Sequence, residues 1–360
     1  MKVLLVSGAY PPMQCGIGDY TARLAQSLGK RKDVTVAVLT DTAAGSAFEG
    51  IDLFPIVRTW GFREIPVVLG LMSKWRPDIV HVQYPSHSYR KIQWILPTIA
   101  WLANGPVVQT WHEYYSPRNW PSVLNAALPG GLVAVRPYYM EKMPVWYRWL
   151  NRHKEFRYIP NASSLPAVSL TKSDRNIIHT RLGASENGMI VYFGFAYPAK
   201  EIELLFEIAD PQHHRLVLIC DLSTADAYQA SILACSNRND WAGKVTITGF
   251  LPPVEAANLL AAADAVILPF RDGGGEWNSS IHSAAVQGTF VLTNSREKQG
   301  YDEEANIYYA VPSDVPSMRK ALLQYAGRRR QDSSAVHGTN WDSIASAHKE
   351  LYQSLLGTKG

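Results

Sequence analysis

Apolar residues along this 360-residue chain fall into short unbroken runs, separated by stretches in which they recur three and four positions apart. Lys2–Ser7 opens the pattern as an apolar strand, and Val34–Thr40, Ile51–Val57, Asp78–Gln83, Pro106–Thr110, Gly131–Val135 and Phe156–Ile159 repeat it. Between them, Tyr20–Leu28, Ile65–Lys74, Lys91–Ala103 and Tyr138–Arg152 have helical spacing. A strand that is apolar throughout must be covered on both faces, and short strands alternating with helices imply a parallel sheet with helices on each side. Residues 162–187 are polar and weakly periodic, apart from a helical piece near Ser173–Leu182, which suits a linker. The alternation then restarts. Strands are predicted at Met189–Phe193, Arg215–Cys220, Val245–Thr248, Ala265–Phe270, Thr289–Thr293 and Ile307–Val311. Helices are predicted at Lys200–Ile208, Ala225–Cys235, Val254–Ala263, from about Asn278–Ser280, and at Val315–Tyr325 and Trp341–Leu356. The fold class this implies is α/β, with two Rossmann-like domains in tandem and a cleft between them. The expected divisions are 1–165, 166–340 and a terminal helix over 341–360.

Size and composition agree. The length suits two cores rather than one. A hydrophobic share of 47% and a charged share of 18% are those of a soluble globular chain. Three widely spaced cysteines form no disulfide framework or metal spacing, so a reducing compartment, the cytoplasm, is expected. No segment reaches the ~20 apolar residues of a bilayer span. Charge is asymmetric: residues 1–165 carry 18 Lys/Arg against 10 Asp/Glu, a balance of +8, while the remainder carries 17 against 21. Eight of the 11 tryptophans lie between Trp60 and Trp149. Cations with interfacial rings suit an anionic lipid surface, and a solvated basic face over a Trp-rich core explains them equally. Tyr138–Arg157, basic and aromatic together, could lie against a membrane as an amphipathic surface helix, or pack Trp146 and Trp149 into a core with its arginines in water, which is the favoured expectation. The run Arg328–Arg330 is expected to be a solvated helix end. Base-reading modules are absent, so no nucleic-acid partner is expected.

In parallel sheets, ligands bind beyond the carboxyl ends of strands. Four loops with chemistry lie there. Tyr10–Asp19 carries Gly16 and Gly18, which permit a tight turn, and Asp19, which can accept from a sugar or cap a helix. A nicotinamide fingerprint would need a small residue where Thr21 stands, although Asp41 mimics the ribose-binding acid. His112 and Glu113 follow a buried strand, and the imidazole can donate a hydrogen bond to a sugar or a developing charge. Lys200 is placed at a helix start, where a cation is unfavourable unless an anion joins it. In Asp264–Thr293, Gly273, Gly274 and Gly275 let backbone approach a ligand, and the helix from Asn278, Ser279 and Ser280 aims its free amides into the loop. Phosphate there, with Asp272 and Glu276 holding hydroxyls, is one reading; an ordinary capped strand–loop–helix unit is the other.

Taken in order, these segments resemble the family 4 (group 1) glycosyltransferases of the GT-B fold over nearly the whole chain. The first Gly loop and helix correspond to YPPMQCGIGDYTARLAQSL, the fourth strand to DIVHVQYP and the strand presenting the active-site His to VVQTWHEYY. RYIPNAS and MIVYFGFAYPAKEIELLFEIA resemble the element before the linker and the segment with the phosphate-binding Lys. VTITGFLPPVEAANLLAAADAVILPF is the most specific match, and NWDSIASAHKELYQSLL resembles a last helix that crosses back to the first domain.

The resemblance implies an acceptor-side N-terminal domain, a nucleotide-sugar C-terminal domain, and sugar transfer from a nucleotide diphosphate with retention. It implies no metal and no cofactor beyond that co-substrate. Lys200 would hold the diphosphate, His112 would contact the transferred sugar, and Gly16 and Gly18 would face donor and acceptor. Gly274, Gly275, Asn278, Ser279 and Ser280 would complete the donor site, with Asp19 and Glu113 on the acceptor side. The family's two Glu, counted back from Gly288, fall at Gly275 and Ser283, and Glu276 replaces the first after a one-residue shift. Its Arg beside the Lys is missing, since Phe195 follows Gly194. The expected setting is polysaccharide or glycolipid assembly on a glycan or lipid-linked acceptor, with peripheral contact at the inner membrane face. The rivals are an inactive GT-B protein that binds a partner or glycan, a nucleotide-sugar-modifying enzyme such as an epimerase, and an NAD-dependent enzyme.

Overall fold

The computed structural model describes residues 1–46, 48–84, 95–114, 123–184, 188–330 and 340–357. The chain divides into unit 1, Met1–Asn161 with Thr339–Gly360, and unit 2, Ala162–Gly338. The division at Asn161 precedes the expected 165 for a local reason: Ser164 N–H donates to Ser283 Oγ at 3.0 Å, which ties that stretch into unit 2.

Unit 1 is one parallel sheet in the order β3-β2-β1-β4-β5-β6-β7. Its strands are β1 (Lys2–Val6), β2 (Thr35–Asp41), β3 (Ile51–Val57), β4 (Ile79–Tyr84), β5 (Val107–Trp111), β6 (Gly130–Ala134) and β7 (Lys154–Tyr158). Its helices are α1 (Gly16–Gly29), α2 (Ile65–Trp75), α3 (Leu96–Asn104), α4 (Val123–Ala127), α5 (Tyr139–Lys142) and α6 (Val145–Leu150). The expected Lys91–Ala103 helix begins outside the described residues. Every residue of β4 and β5 is buried, the polar His81, Gln83, Gln109 and Thr110 included, because both faces of the sheet are covered.

The single helix expected over Tyr138–Arg152 is two short ones. Pro144 separates α5 from α6 because it cannot donate within a helix and disfavours helical geometry at the preceding residue, Met143, which is extended at ψ 135°. The core expectation for Trp146 and Trp149 is also corrected. They are 50% and 60% exposed, while Tyr139, Met143 and Tyr147 take the buried stripe.

Unit 2 holds α7 (Lys172–Arg181), α8 (Leu205–Ile208), α9 (Ala227–Ser236), α10 (Pro253–Ala262), α11 (Ser279–Ala285) and α12 (Val315–Tyr325). Its strands are β8 (Gly188–Phe193), β9 (His214–Ile219), β10 (Val245–Ile247), β11 (Ala265–Leu268), β12 (Val291–Asn294), β13 (Gly300–Asp302) and β14 (Ile307–Ala310). They run in the order β10-β9-β8-β11-β12-β14-β13. Pairing is parallel except for β13, a short antiparallel edge strand beside β14 that the apolar pattern does not reveal. The helix expected over Lys200–Ile208 is two 3₁₀ turns, Pro198–Lys200 and Ile202–Leu204, leading into the four-residue α8. Glu201, left-handed at φ 44°, interrupts it.

Of the basic run only Arg328 is exposed, and the expected solvated end fails for Arg329 and Arg330. The Arg329 guanidinium donates to the main-chain oxygens of Ala261 (2.6 Å), Ala262 (3.2 Å) and Ala263 (2.6 Å), where α10 leaves carbonyls without helical partners. Arg330 donates to Ala285 O at 3.3 Å, at the end of α11. Arg329→Ala is therefore expected to destabilise unit 2 by about 3 kcal/mol, since several charge-assisted bonds to half-buried carbonyls are lost together. A lower urea midpoint with unchanged slope is the reading that checks it.

The last helix, α13 (Trp341–Gly357), belongs to unit 1. Ser27 Oγ donates to Asp342 Oδ1 at 2.7 Å, and Arg31 Nη2 donates to Ser346 Oγ at 2.7 Å. Ile344, His348, Leu351 and Tyr352 are buried.

Candidate active site

In unit 2 the chain leaves β8 through Gly194 into the Pro198–Lys200 turn, which Lys200 N–H closes on Tyr197 O at 2.8 Å. Lys200 Nζ stands 4.4 Å above the centre of the Phe270 ring, a cation–π contact. Phe270 lies just beyond β11, its N–H donating to Asn294 Oδ1 at 3.0 Å. The Asn294 main-chain oxygen accepts from Gly274 N–H at 2.7 Å. A Cβ on Gly274 would fall 2.6 Å from the same Phe270 ring. Lys200 and the glycine loop thus meet at one aromatic side chain. Arg271 fastens the junction: its N–H donates to Ala199 O at 3.1 Å and its Nη2 to Pro198 O at 2.8 Å. Arg271 Nε is also 3.6 Å from Glu201 Oε1. Burial raises the Glu201 carboxyl above the usual range, with Arg271 opposing.

The glycines work differently from the expectation. Space vacated by Cβ atoms at Gly274 and Gly275 is filled by the rings of Phe270 and Trp277, not left open to a ligand. Their amides are also used internally. Gly273 N–H donates to Phe270 O at 3.0 Å, Gly274 to Asn294 O at 2.7 Å, and Gly275 to Asn278 Oδ1 at 3.0 Å. Gly274 and Gly275 therefore shape the loop rather than present amides to phosphate. The Asn278 side chain secures that loop and does not cap α11. The Ser279 and Ser280 amides donate no hydrogen bond among the described residues. Glu276 is exposed, with Oε1 3.6 Å from Lys298 Nζ, and its main-chain oxygen accepts from His282 Nε2 at 2.8 Å. Ser283, at the position of the family's second Glu, is fully buried and its hydroxyl accepts from Ser164 N–H. A carboxylate there would collide with this packing.

In unit 1, a Cβ on Gly18 would come within 3.1 Å of the Ala9 main chain, so the residue lets α1 seat against the end of β1. Gly16 meets nothing within 4 Å. Asp19, in the first turn of α1, donates its N–H to Cys15 O at 3.0 Å. Burial lifts its carboxyl to about 6, the Arg23 charge opposing. His112 follows β5, its N–H donating to Tyr84 O at 3.0 Å and its carbonyl accepting from Arg136 Nε at 3.1 Å. Glu113 beside it is exposed.

The His112 ring is set by groups that sequence spacing did not single out. Nε2 lies 2.8 Å from Gln83 Oε1, and the ring meets Tyr20 edge-on at 4.8 Å. Behind it, Gln83 Nε2 is 3.3 Å from His81 Nε2, which Thr110 Oγ1 approaches at 2.7 Å. His81 Nδ1 reaches Tyr352 Oη on α13 at 2.6 Å. Burial, then Arg136 and His348, holds His112 down at about 3, so the ring is neutral. A neutral ring that donates from Nε2 to Gln83 keeps Nδ1 as its acceptor. The Nε2 hydrogen is thus engaged by Gln83, and Nδ1 is the ring's remaining polar atom. Gln83 and Arg271 were visible only as a polar residue inside an apolar run and a cation at a strand end; their partners lie 29 and 73 residues away in the chain.

With this geometry in place, comparison with known proteins defines the fold. HepE from Anabaena, solved with UDP and glucose, superposes with a TM-score of 0.68 at 16% identity, covering 99% of each chain. Sucrose-phosphate synthase from Thermosynechococcus elongatus gives 0.75 at 16% over 99% of each chain, and a glycosyltransferase from Rickettsia africae gives 0.72 at 13% over 99% and 98%. The chain has the GT-B fold, two Rossmann-like units in one polypeptide. Residues 15–161, within the first unit, match the glycosyl transferase 4-like domain family. No curated protein sequence matches the chain.

Proposed function

We propose that this protein is a nucleotide-sugar-dependent glycosyltransferase. In this reading it moves a sugar from a nucleotide-diphosphate donor to a glycan or lipid-linked acceptor, with retention and without a metal, in polysaccharide or glycolipid assembly. The observation that carries the reading is the meeting of Lys200 and the Gly273–Gly275 loop at Phe270, beyond the carboxyl ends of β8 and β11. That edge of a parallel sheet is where nucleotides bind. Breaking a glycosidic bond to a diphosphate gathers negative charge on the leaving group. An ammonium and the Ser279–Ser280 amides are preorganised donors for that charge. On the other unit, His112 Nδ1 accepts from a hydroxyl of the transferred sugar, and Asp19 with Glu113 accepts from the acceptor. Glu276 orients the donor sugar once released from Lys298. The setting is the cytoplasm, at the inner face of the membrane.

A ligand that binds only the native state raises its apparent stability. In a thermal-shift screen, one of UDP-, GDP-, ADP- or dTDP-sugars is expected to raise Tm in a saturable way, and the matching free sugar to leave it unchanged. No shift with any nucleotide sugar would defeat the reading. The buried Ser283 and the missing Arg favour a second reading, an inactive GT-B protein that binds a glycan or partner. Slow hydrolysis of the bound donor would exclude it.

A further inference from the structure

The strip of unit 1 from Tyr138 to Arg152 has two unlike sides. Tyr139, Met143 and Tyr147, spaced four apart, are buried at 2–3% exposure and pack with Trp111 and Leu132. Outward, Tyr138, Val145, Trp146 and Trp149 are 65%, 72%, 50% and 60% exposed. On α6, Trp149 is one turn from both Val145 and Trp146, so it adjoins each of them. Cations are interleaved: Lys142, Arg148 and Arg152 are all exposed, against the single carboxylate of Glu141. The Arg152 guanidinium lies 3.7 Å over the Trp149 ring and donates to Trp149 O at 3.0 Å, so charge and ring face outward as a unit.

Exposed large apolar groups clustered together mark a surface that another phase covers. Rings that carry a guanidinium suit the boundary between lipid headgroups and acyl chains, where tryptophan settles and Lys/Arg meet phosphate. A second copy of this chain would oppose the same three cations to one another, and like charges across an interface are costly. We propose that Tyr138–Arg152 is a membrane-docking surface for anionic lipid, with Val145, Trp146 and Trp149 entering the headgroup boundary and Lys142, Arg148 and Arg152 on the phosphates. This deepens the membrane part of the proposed function. Its test uses no donor, so its failure and that of the transfer reading are separately visible.

The full-length protein is sedimented with vesicles of phosphatidylcholine alone or of phosphatidylcholine with phosphatidylglycerol. Wild type is expected to pellet with the anionic vesicles, weakly with neutral ones, and less as salt rises. Brominated acyl chains are expected to quench part of its tryptophan fluorescence. Arg148→Ala with Arg152→Ala should lower partitioning roughly 30-fold, at about five-fold for each cation. Trp146→Ala with Trp149→Ala should lower it more than ten-fold and abolish the quenching. Both variants change exposed side chains, so an unchanged Tm certifies their fold. Wild type that stays in the supernatant at low salt overturns the proposal. So do variants that pellet like wild type, or a tryptophan variant whose only change, by light scattering, is dissociation of an oligomer.

Discussion

Lys200→Ala is expected to release nucleoside diphosphate from the preferred donor about a hundred- to a thousand-fold more slowly than wild type, with little change in Tm. The magnitude is that of removing one preorganised charge from a developing oxyanion. The small stability effect follows from geometry. Lys200 ends a 3₁₀ turn and rests its ammonium on the Phe270 ring, while the turn is held by Arg271 and by its own backbone bond to Tyr197. Losing the cation–π contact costs about 0.5–1 kcal/mol at such a site. A structural role would show the reverse, a lowered Tm with kcat in the surviving protein unchanged. Lys200→Arg separates charge from shape: it keeps the cation, but its planar guanidinium places its donors differently, so a partial recovery in kcat is expected. Wild-type release by Lys200→Ala would remove the amine from the mechanism.

What the sequence revealed and what it withheld divides along one physical line. Strands such as β1 and β11 were legible because burial on both faces leaves an unbroken apolar run, and loops beyond strands could be located before any side chain was placed. The glycine loop and Lys200 were legible as neighbours of strand ends. Withheld was everything set by a distant partner. Glu201 in a left-handed conformation turned a predicted helix into two 3₁₀ turns, and no local pattern announces that. Arg329 and Arg330 read as solvated charges because the carbonyls they satisfy belong to α10 and α11. Trp146 and Trp149 read as core because size and apolarity say nothing of which face of α6 meets the sheet, and Tyr139, Met143 and Tyr147 had already taken that face. Gly274 and Gly275 were read as room for a ligand, but Phe270 and Trp277 use the room.

Below neutral pH, unit 1 is expected to lose stability more steeply than unit 2, because of three histidines, two of them fully buried, that stay neutral when folded. His81 and His348 are fully buried and stack at 5.3 Å, and Gln83 links His81 to His112. Burial lowers all three most; the nearby His348 and His112 rings add at His81, and the Arg136 charge and then the His348 ring add at His112: His348 falls to about 4, His112 to about 3, and His81 well below its ordinary value. The charged group facing His112 is Arg136; His348 is held by Ile344 O at 2.8 Å and approached by Tyr20 Oη at 3.4 Å. The sign follows from proton binding. A histidine with a folded value below its unfolded value of about 6.5 binds protons more readily when unfolded, so its contribution is complete above pH 6.5 and is lost as pH falls toward the folded value. At pH 5 the loss is about 2 kcal/mol for each such histidine, large against a domain's total of about 5–15 kcal/mol. Urea unfolding at pH 7.5 and pH 5 measures it, with Trp241 and Trp277 reporting unit 2 once the unit 1 tryptophans are replaced. His348→Gln cannot titrate, so it should be less stable than wild type at pH 7.5 yet lose about 2 kcal/mol less on acidification. An equal loss in both proteins would mean that the buried imidazoles are not what acid attacks. Because His81 joins Tyr352 of α13 to the Gln83–His112 pair, protonation there should also loosen the ring proposed to accept from the sugar, so donor affinity is expected to fall over the same pH interval.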